Sequence, residues 1–166
     1  MTTKHTIVSM VSDRPGVLNR VASLFRRRNF NIESIAVGHS ETEGISRMTI
    51  VVDGARTQVE QVRKQLEKLI DVIKVSDITG ESTISRELAL IKVKSSSETR
   101  SEIMQIVNIF RANIVDVSLD SVTIEVTGNE DKVTSLYNLL KNFGIKEICR
   151  TGVIAMVRGI NEIVEE

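Results

Sequence analysis

The sequence predicts an α+β fold: two tandem ferredoxin-like βαββαβ sandwiches. Three observations carry that prediction. Apolar residues switch between the alternating or β-branched runs of strands and the 3–4 spacing of amphipathic helices. The switches come in the order strand, helix, strand, strand, helix, strand, which is the split βαβ arrangement of an antiparallel sheet with two helices on one face. That order runs through twice within 166 residues, so each copy has roughly 75–80 residues, small for a domain of its own.

The first copy opens with a β-branched run at 6–11, read as a strand. Ser12-Asp13-Arg14-Pro15-Gly16 follows as a turn and cap cluster. Val17, Leu18, Val21, Leu24 and Phe25 then recur at helical spacing, and Arg26-Arg27-Arg28 places cations in the last turn, where the helix dipole favours them. Residues 30–37 form a second strand and 47–52 a third, with Gly38 and Gly44 bracketing a polar hairpin loop. Val59, Val62, Leu66 and Leu69 mark a second helix, and 72–75 a short fourth strand. Residues 76–85 are polar and read as a linker. The second copy follows: a strand at 87–93, a helix at 98–110, a hairpin of 114–119 and 122–126 across Asp120-Ser121, and a helix carrying Val133, Leu136, Tyr137 and Leu140. Gly144 stops that helix, and 145–154 reads as one last strand. A short tail, 158–166, is acidic at its end and reads as helical. The expected domains are 1–78 and 86–166, joined by a linker at 79–85.

Composition narrows the function. The 22 Lys+Arg balance the 22 Asp+Glu, and there are four Phe, one Tyr and no Trp. A neutral chain with so few stacking rings is a poor nucleic-acid binder, since a basic face supplies most of that affinity. Arg26-Arg27-Arg28 therefore reads as a solvated helix end. An RNA-recognition module shares the βαββαβ order, yet its third strand needs stacking aromatics, and here that strand is Met48-Thr49-Ile50-Val51-Val52. His5 and His39 read as surface residues without metal-ligand spacing. The single cysteine, Cys149, reads as a packed core thiol. No phosphate loop of the GxxxxGK type and no nucleophile elbow occurs, and no carboxylate pair is marked as an acid/base couple. No apolar stretch approaches the ~20 residues of a membrane span, and no signal-peptide block precedes the first strand, so a cytoplasmic location is expected.

One site stands out. Pro15 is the sole proline, and Gly16 follows it at the start of the first helix. Asp13 is placed to cap that helix, and proline is tolerated in a first turn. Two readings stay open: a plain strand-to-helix turn, or a bare backbone that admits a ligand whose anionic end meets free N–H groups. The second strand is an edge strand in this topology. It is apolar on both faces and has no Pro or Lys to discourage pairing. A homodimer contact is expected there, which places Asn31 and Ile32 near a subunit boundary.

Val11-Ser12-Asp13-Arg14-Pro15-Gly16-Val17-Leu18 resembles the strand-loop-helix signature of ACT domains, which are amino-acid-sensing βαββαβ modules. The longer string from Leu24 to Ile35, with Ser46-Arg47-Met48-Thr49-Ile50 and Asp71-Val72-Ile73-Lys74-Val75, resembles the regulatory (small) subunits of acetolactate synthase. The second half continues the likeness through Arg86-Glu87-Leu88-Ala89-Leu90-Ile91-Lys92-Val93, Ile109-Phe110-Arg111-Ala112-Asn113-Ile114 and Arg150-Thr151-Gly152-Val153. The resemblance implies a chain that is not an enzyme on its own and has no catalytic residue, cofactor or metal. It implies a catalytic large subunit as partner, which carries thiamine diphosphate, Mg²⁺ and FAD, and which this chain activates and renders sensitive to valine. It also implies an effector site at the contact between two ACT domains. Asp13 and Asn31 would be polar partners there, Gly16, Val17 and Leu18 would offer backbone N–H groups to the effector's carboxylate, and Ile32 would hold its isopropyl group. The alternative is a stand-alone ACT-type sensor that acts on another enzyme or on transcription.

Overall fold

A computed structural model describes residues 3–159. The chain divides into two compact units, Met1–Ile84 with Val153–Glu166 and Ser85–Gly152. In the first, β1 (Thr3–Ser12), α1 (Val17–Arg27), β2 (Ile32–His39), β3 (Ile45–Gly54), α2 (Arg56–Leu66) and β4 (Val72–Asp77) succeed one another. In the second, the greater part of β5 (Thr83–Lys94) leads to α3 (Arg100–Ile109), β6 (Asn113–Val117), β7 (Ser121–Gly128), α4 (Glu130–Leu140) and β8 (Ile145–Arg150). The sheets are antiparallel, with strand orders β2-β3-β1-β4 and β6-β7-β5-β8. Both are the expected βαββαβ sandwich, and β2 and β6 lie at sheet edges.

Each unit has its own core. In the first, Ile7 and Val11 of β1 and Met48, Ile50 and Val52 of β3 meet Val21 and Phe25 of α1 and Val59, Val62 and Leu66 of α2. In the second, Ile91, Ile124, Ile103 and Leu136 play the same parts. The helical periods legible in the sequence are the buried stripes of these helices. Phe25 and Phe30 meet edge to face, with centroids 6.4 Å apart at 89°, worth about 0.5–1.5 kcal/mol beyond their burial. A Cβ on Gly54 would come within 2.6 Å of the Phe30 ring, so only glycine lets that ring lie on the end of β3. The turn from α1 into β2 is pinned in this way, and Asn31 with it.

Several expectations are corrected. The last strand is not continuous over 145–154: it breaks after Arg150, and Gly152 has φ +84. The residues beyond form β9 (Ile154–Val157), in which Ala155 packs with Val8 and Ile78. Arg47 donates to the Ala155 carbonyl at 2.8 Å, and the Arg158 N–H to that of Ser82 at 2.8 Å. The segment after Gly152 thus groups with the first unit, where the sequence placed it with the second domain. The expected linker shrinks to 78–82 because β4 runs to Asp77 and β5 starts at Thr83. Ile78 within it is buried, and its N–H bonds the Thr6 carbonyl at 3.0 Å. Cys149 is exposed. It alternates with Ile148, which packs against the core, so the strand period turns Cys149 to the opposite face. His5 is buried rather than at the surface, with Nδ1 3.5 Å from Asp77 Oδ2. The tail expected to be helical lies almost wholly outside the described residues.

Candidate functional site

Asp13 does not cap α1. The cap position is Gly16, at φ 88 and ψ −11, and no side chain bonds the helix start. That left-handed conformation suits glycine and costs other residues roughly 1–2 kcal/mol. A Cβ there would meet nothing within 4 Å, so backbone conformation rather than crowding favours glycine within one chain. The Val17 N–H reaches the Arg14 carbonyl at 3.4 Å. Those of Leu18 and Asn19 have no partner among the described residues. The helix therefore presents unpaired donors at its positive end, the arrangement that attracts anions. Val17 is buried in the core and Leu18 is half exposed, so one residue anchors the turn and the next faces outward.

The loop before the helix is held from both sides. The Ser12 N–H donates to the Asp71 carbonyl and the Asp13 N–H to the Gly44 carbonyl, each at 2.8 Å. Arg20 of α1 pairs with the carboxylate of Asp71. Asp13 Oδ2 lies 3.3 Å from His39 Nδ1, at the far end of β2. Arg20, Asp71 and His39 were not among the sequence candidates, since nothing in their local pattern shows these long-range pairings.

Asn31 and Ile32 stand elsewhere in the chain. Ile32 pairs with Val52, which pairs with His5. Ser12 pairs with Ile45, seven residues further along β1, or about 23 Å. Within one chain, Asp13, Gly16, Val17 and Leu18 occupy one end of the sheet and Asn31 and Ile32 the other. Asn31 is exposed, just before β2 begins, and its side chain has no partner among the described residues. Ile32 packs half-buried against the core.

The second unit repeats this layout with its asparagine engaged. Asn113-Ile114 opens β6 as Asn31-Ile32 leads into β2, and in each unit a residue of positive φ follows the preceding helix, Asn29 after α1 and Arg111 after α3. Asn113, however, donates to Glu125 Oε1 at 3.4 Å. At the start of α3, Arg100 spans from Ser95 Oγ to the carbonyl of Ser118. No glycine stands at that helix start. Among the described residues, the glycine at the helix start and the asparagine without a partner are features of the first unit.

No group of three or more His, Cys, Asp or Glu side chains gathers as a metal-ligand set among the described residues. No helix among them is long and apolar enough to cross a membrane.

Comparison with known proteins covers both units. Residues 7–74 match the family described as the AHAS small subunit-like ACT domain. Residues 86–159 match the family described as the small subunit of acetolactate synthase. A probable acetolactate synthase small subunit of Archaeoglobus fulgidus is 61% identical over 156 residues, covering 94% of this chain and 98% of its own. The acetolactate synthase small subunit of Bacillus subtilis is 54% identical over 160 residues, covering 96% and 93%. The crystal structure of the acetolactate synthase small subunit from Thermotoga maritima superimposes with a TM-score of 0.87 at 45% identity, covering 95% of this chain and 99% of that one.

Proposed function

The chain belongs to the family of acetolactate synthase small subunits, and from that premise we propose that it activates the catalytic subunit and makes it sensitive to valine through a site built between two copies of its first unit. Membership in that family implies a catalytic large subunit as partner. In this reading, thiamine diphosphate, Mg²⁺ and FAD reside in that large subunit, and the assembly works in the cytoplasm on branched-chain amino acid synthesis.

The observation that carries the proposal is the separation of the candidate residues along the sheet. Two copies of β2 that pair edge to edge about a two-fold axis run antiparallel. Pairing centred on Ile35 and Ala36 sets Ile32 of one copy against His39 of the other. The Asn31 end of one chain then meets the Asp13 and Gly16 end of its neighbour, twice per dimer. Exposed apolar edges favour such pairing. Charge agrees with it: Arg26, Arg27 and Arg28 are exposed at one end and Glu41 and Glu43 at the other, so the two-fold brings opposite signs together. Valine's carboxylate would take the N–H groups at the start of α1, its ammonium Asp13 and Asn31, and its isopropyl group Ile32 and Leu18. Burying that side chain is worth roughly 1.5–3 kcal/mol, so alanine would bind much more weakly. For inhibition, valine must favour the inhibited arrangement of the holoenzyme over the active one, by on the order of 1–3 kcal/mol.

Calorimetric titration of the purified chain with valine, with alanine and lysine as controls, tests this reading. Saturation near one valine per chain, with no heat from the controls, is expected. Absence of valine heat both alone and with the catalytic subunit would overturn it.

A further inference from the structure

His39 ends the edge strand, and its imidazole reaches over the start of β3 to Asp13. We propose that His39 is a positioning residue of the effector site: it holds Asp13 toward the effector's ammonium group, and its own charge tunes the affinity, so that binding weakens where the imidazole is protonated. This rests on the reading that valine binds at the β2 edge.

The geometry supplies the grounds. Both residues have fixed backbones, Asp13 through its N–H bond to Gly44 at 2.8 Å and His39 through its pairing with Ser46. One carboxylate oxygen of Asp13 faces His39 Nδ1 at 3.3 Å. The other has no partner among the described residues. The side chains are 85% and 47% exposed, and an ion pair so open to water adds little to stability. Its consequence lies in where it holds the carboxylate. In the antiparallel pairing, His39 also stands beside Ile32 of the second copy, so it lies between the two halves of the site.

The sign of the effect follows from charge. With His39 neutral, Asp13 keeps a full negative charge for the ammonium. With His39 protonated, the pair is neutral and the ammonium meets an imidazolium. The other charged groups around it are Arg14 of the same loop, Glu41 and Glu43 of the hairpin, and Arg47 of β3, opposite Gly38. Arg47 is drawn to the Ala155 carbonyl at 2.8 Å. Imidazoles in general change charge between pH 5 and 8. Valine keeps both its charges across that range.

The test is titration of the full chain with valine between about pH 5.5 and pH 8 for the wild type, His39→Gln and His39→Ala, with dimer mass followed by light scattering at each pH. The wild type should bind about five-fold more weakly at the acid end, the size expected of one charge acting across a few ångströms near water. His39→Gln, which keeps a donor, should match the wild type at the alkaline end and lose the slope. His39→Ala should be flat and weaker throughout. A flat wild-type profile, a slope that persists in His39→Gln, or a slope that follows dimer dissociation would each overturn the role of His39 and leave the valine site standing. No valine binding by the wild type at any pH, alone or with the catalytic subunit, would overturn both.

Discussion

Asn31 and Asn113 hold the same place in the two repeats, each directly before the isoleucine at the edge strand, but Asn113 is bonded to Glu125 while Asn31 has no partner among the described residues. The first repeat thus keeps a free amide at its edge, beside the half-buried Ile32. A hydrogen bond to a charged group is worth roughly 1.5–3 kcal/mol. Asn31→Ala should therefore lose about ten-fold or more in valine affinity by calorimetry. Asn113→Ala should bind valine as the wild type does.

Gly16→Asp places a carboxylate at the N–H groups that the proposed site would offer to valine's carboxylate, and forces a side chain into the left-handed region. The backbone cost is about 1–2 kcal/mol, visible as a lower urea midpoint. Loss of valine heat should exceed what that destabilisation accounts for, because the chain stays folded at the temperature of the titration.

The pair formed by Glu87 and Arg150 is structural. Glu87 is buried, and the Arg150 guanidinium holds it through both carboxylate oxygens. The hydrogen bond from Glu87 raises the Arg150 pKa above its ordinary value. Arg150→Met strands a buried acceptor, which costs roughly 1–3 kcal/mol. Denaturation should show that loss with valine affinity intact.

Acid should weaken the fold in a specific way. Hydrogen bonds from Arg63 hold the Glu60 carboxyl below the usual carboxylate range, and Lys146 does the same for Asp120. A lowered folded-state pKa gives stability that is complete above the unfolded value and lost as pH falls through the folded one. Urea midpoints should thus drop on the acid side of the carboxylate range. Arg63→Met with Lys146→Met should shrink that drop, and an unchanged drop would assign it to other groups.

Much of this was legible in local patterns. The period of Val17, Val21 and Phe25 gave α1 its buried face, Gly38 and Gly44 marked the hairpin, and the repeated order of elements gave both sheets. Gly16 stood out because turn chemistry is local. What escaped depends on residues far apart in sequence. His5 is buried by residues that reach it from more than seventy positions away. Gly152 turns a predicted single strand into two because Ala155 finds Val8 and Ile78. The Asp13 carboxylate turns to His39 instead of the helix end, a choice set by the hairpin rather than by the loop's own sequence.

In the proposed dimer each valine site is divided between two chains, and mixing two defective variants shows whether it is. Gly16→Asp spoils the helix side and Asn31→Ala the edge-strand side. In a mixed dimer, one of the two sites takes its helix from the Asn31→Ala chain and its edge strand from the Gly16→Asp chain, so both halves are sound. Random exchange of chains should return about one site in four, at wild-type valine affinity. If no binding returns while light scattering and tagged-chain capture show mixed dimers, the site is not shared between two chains in this way.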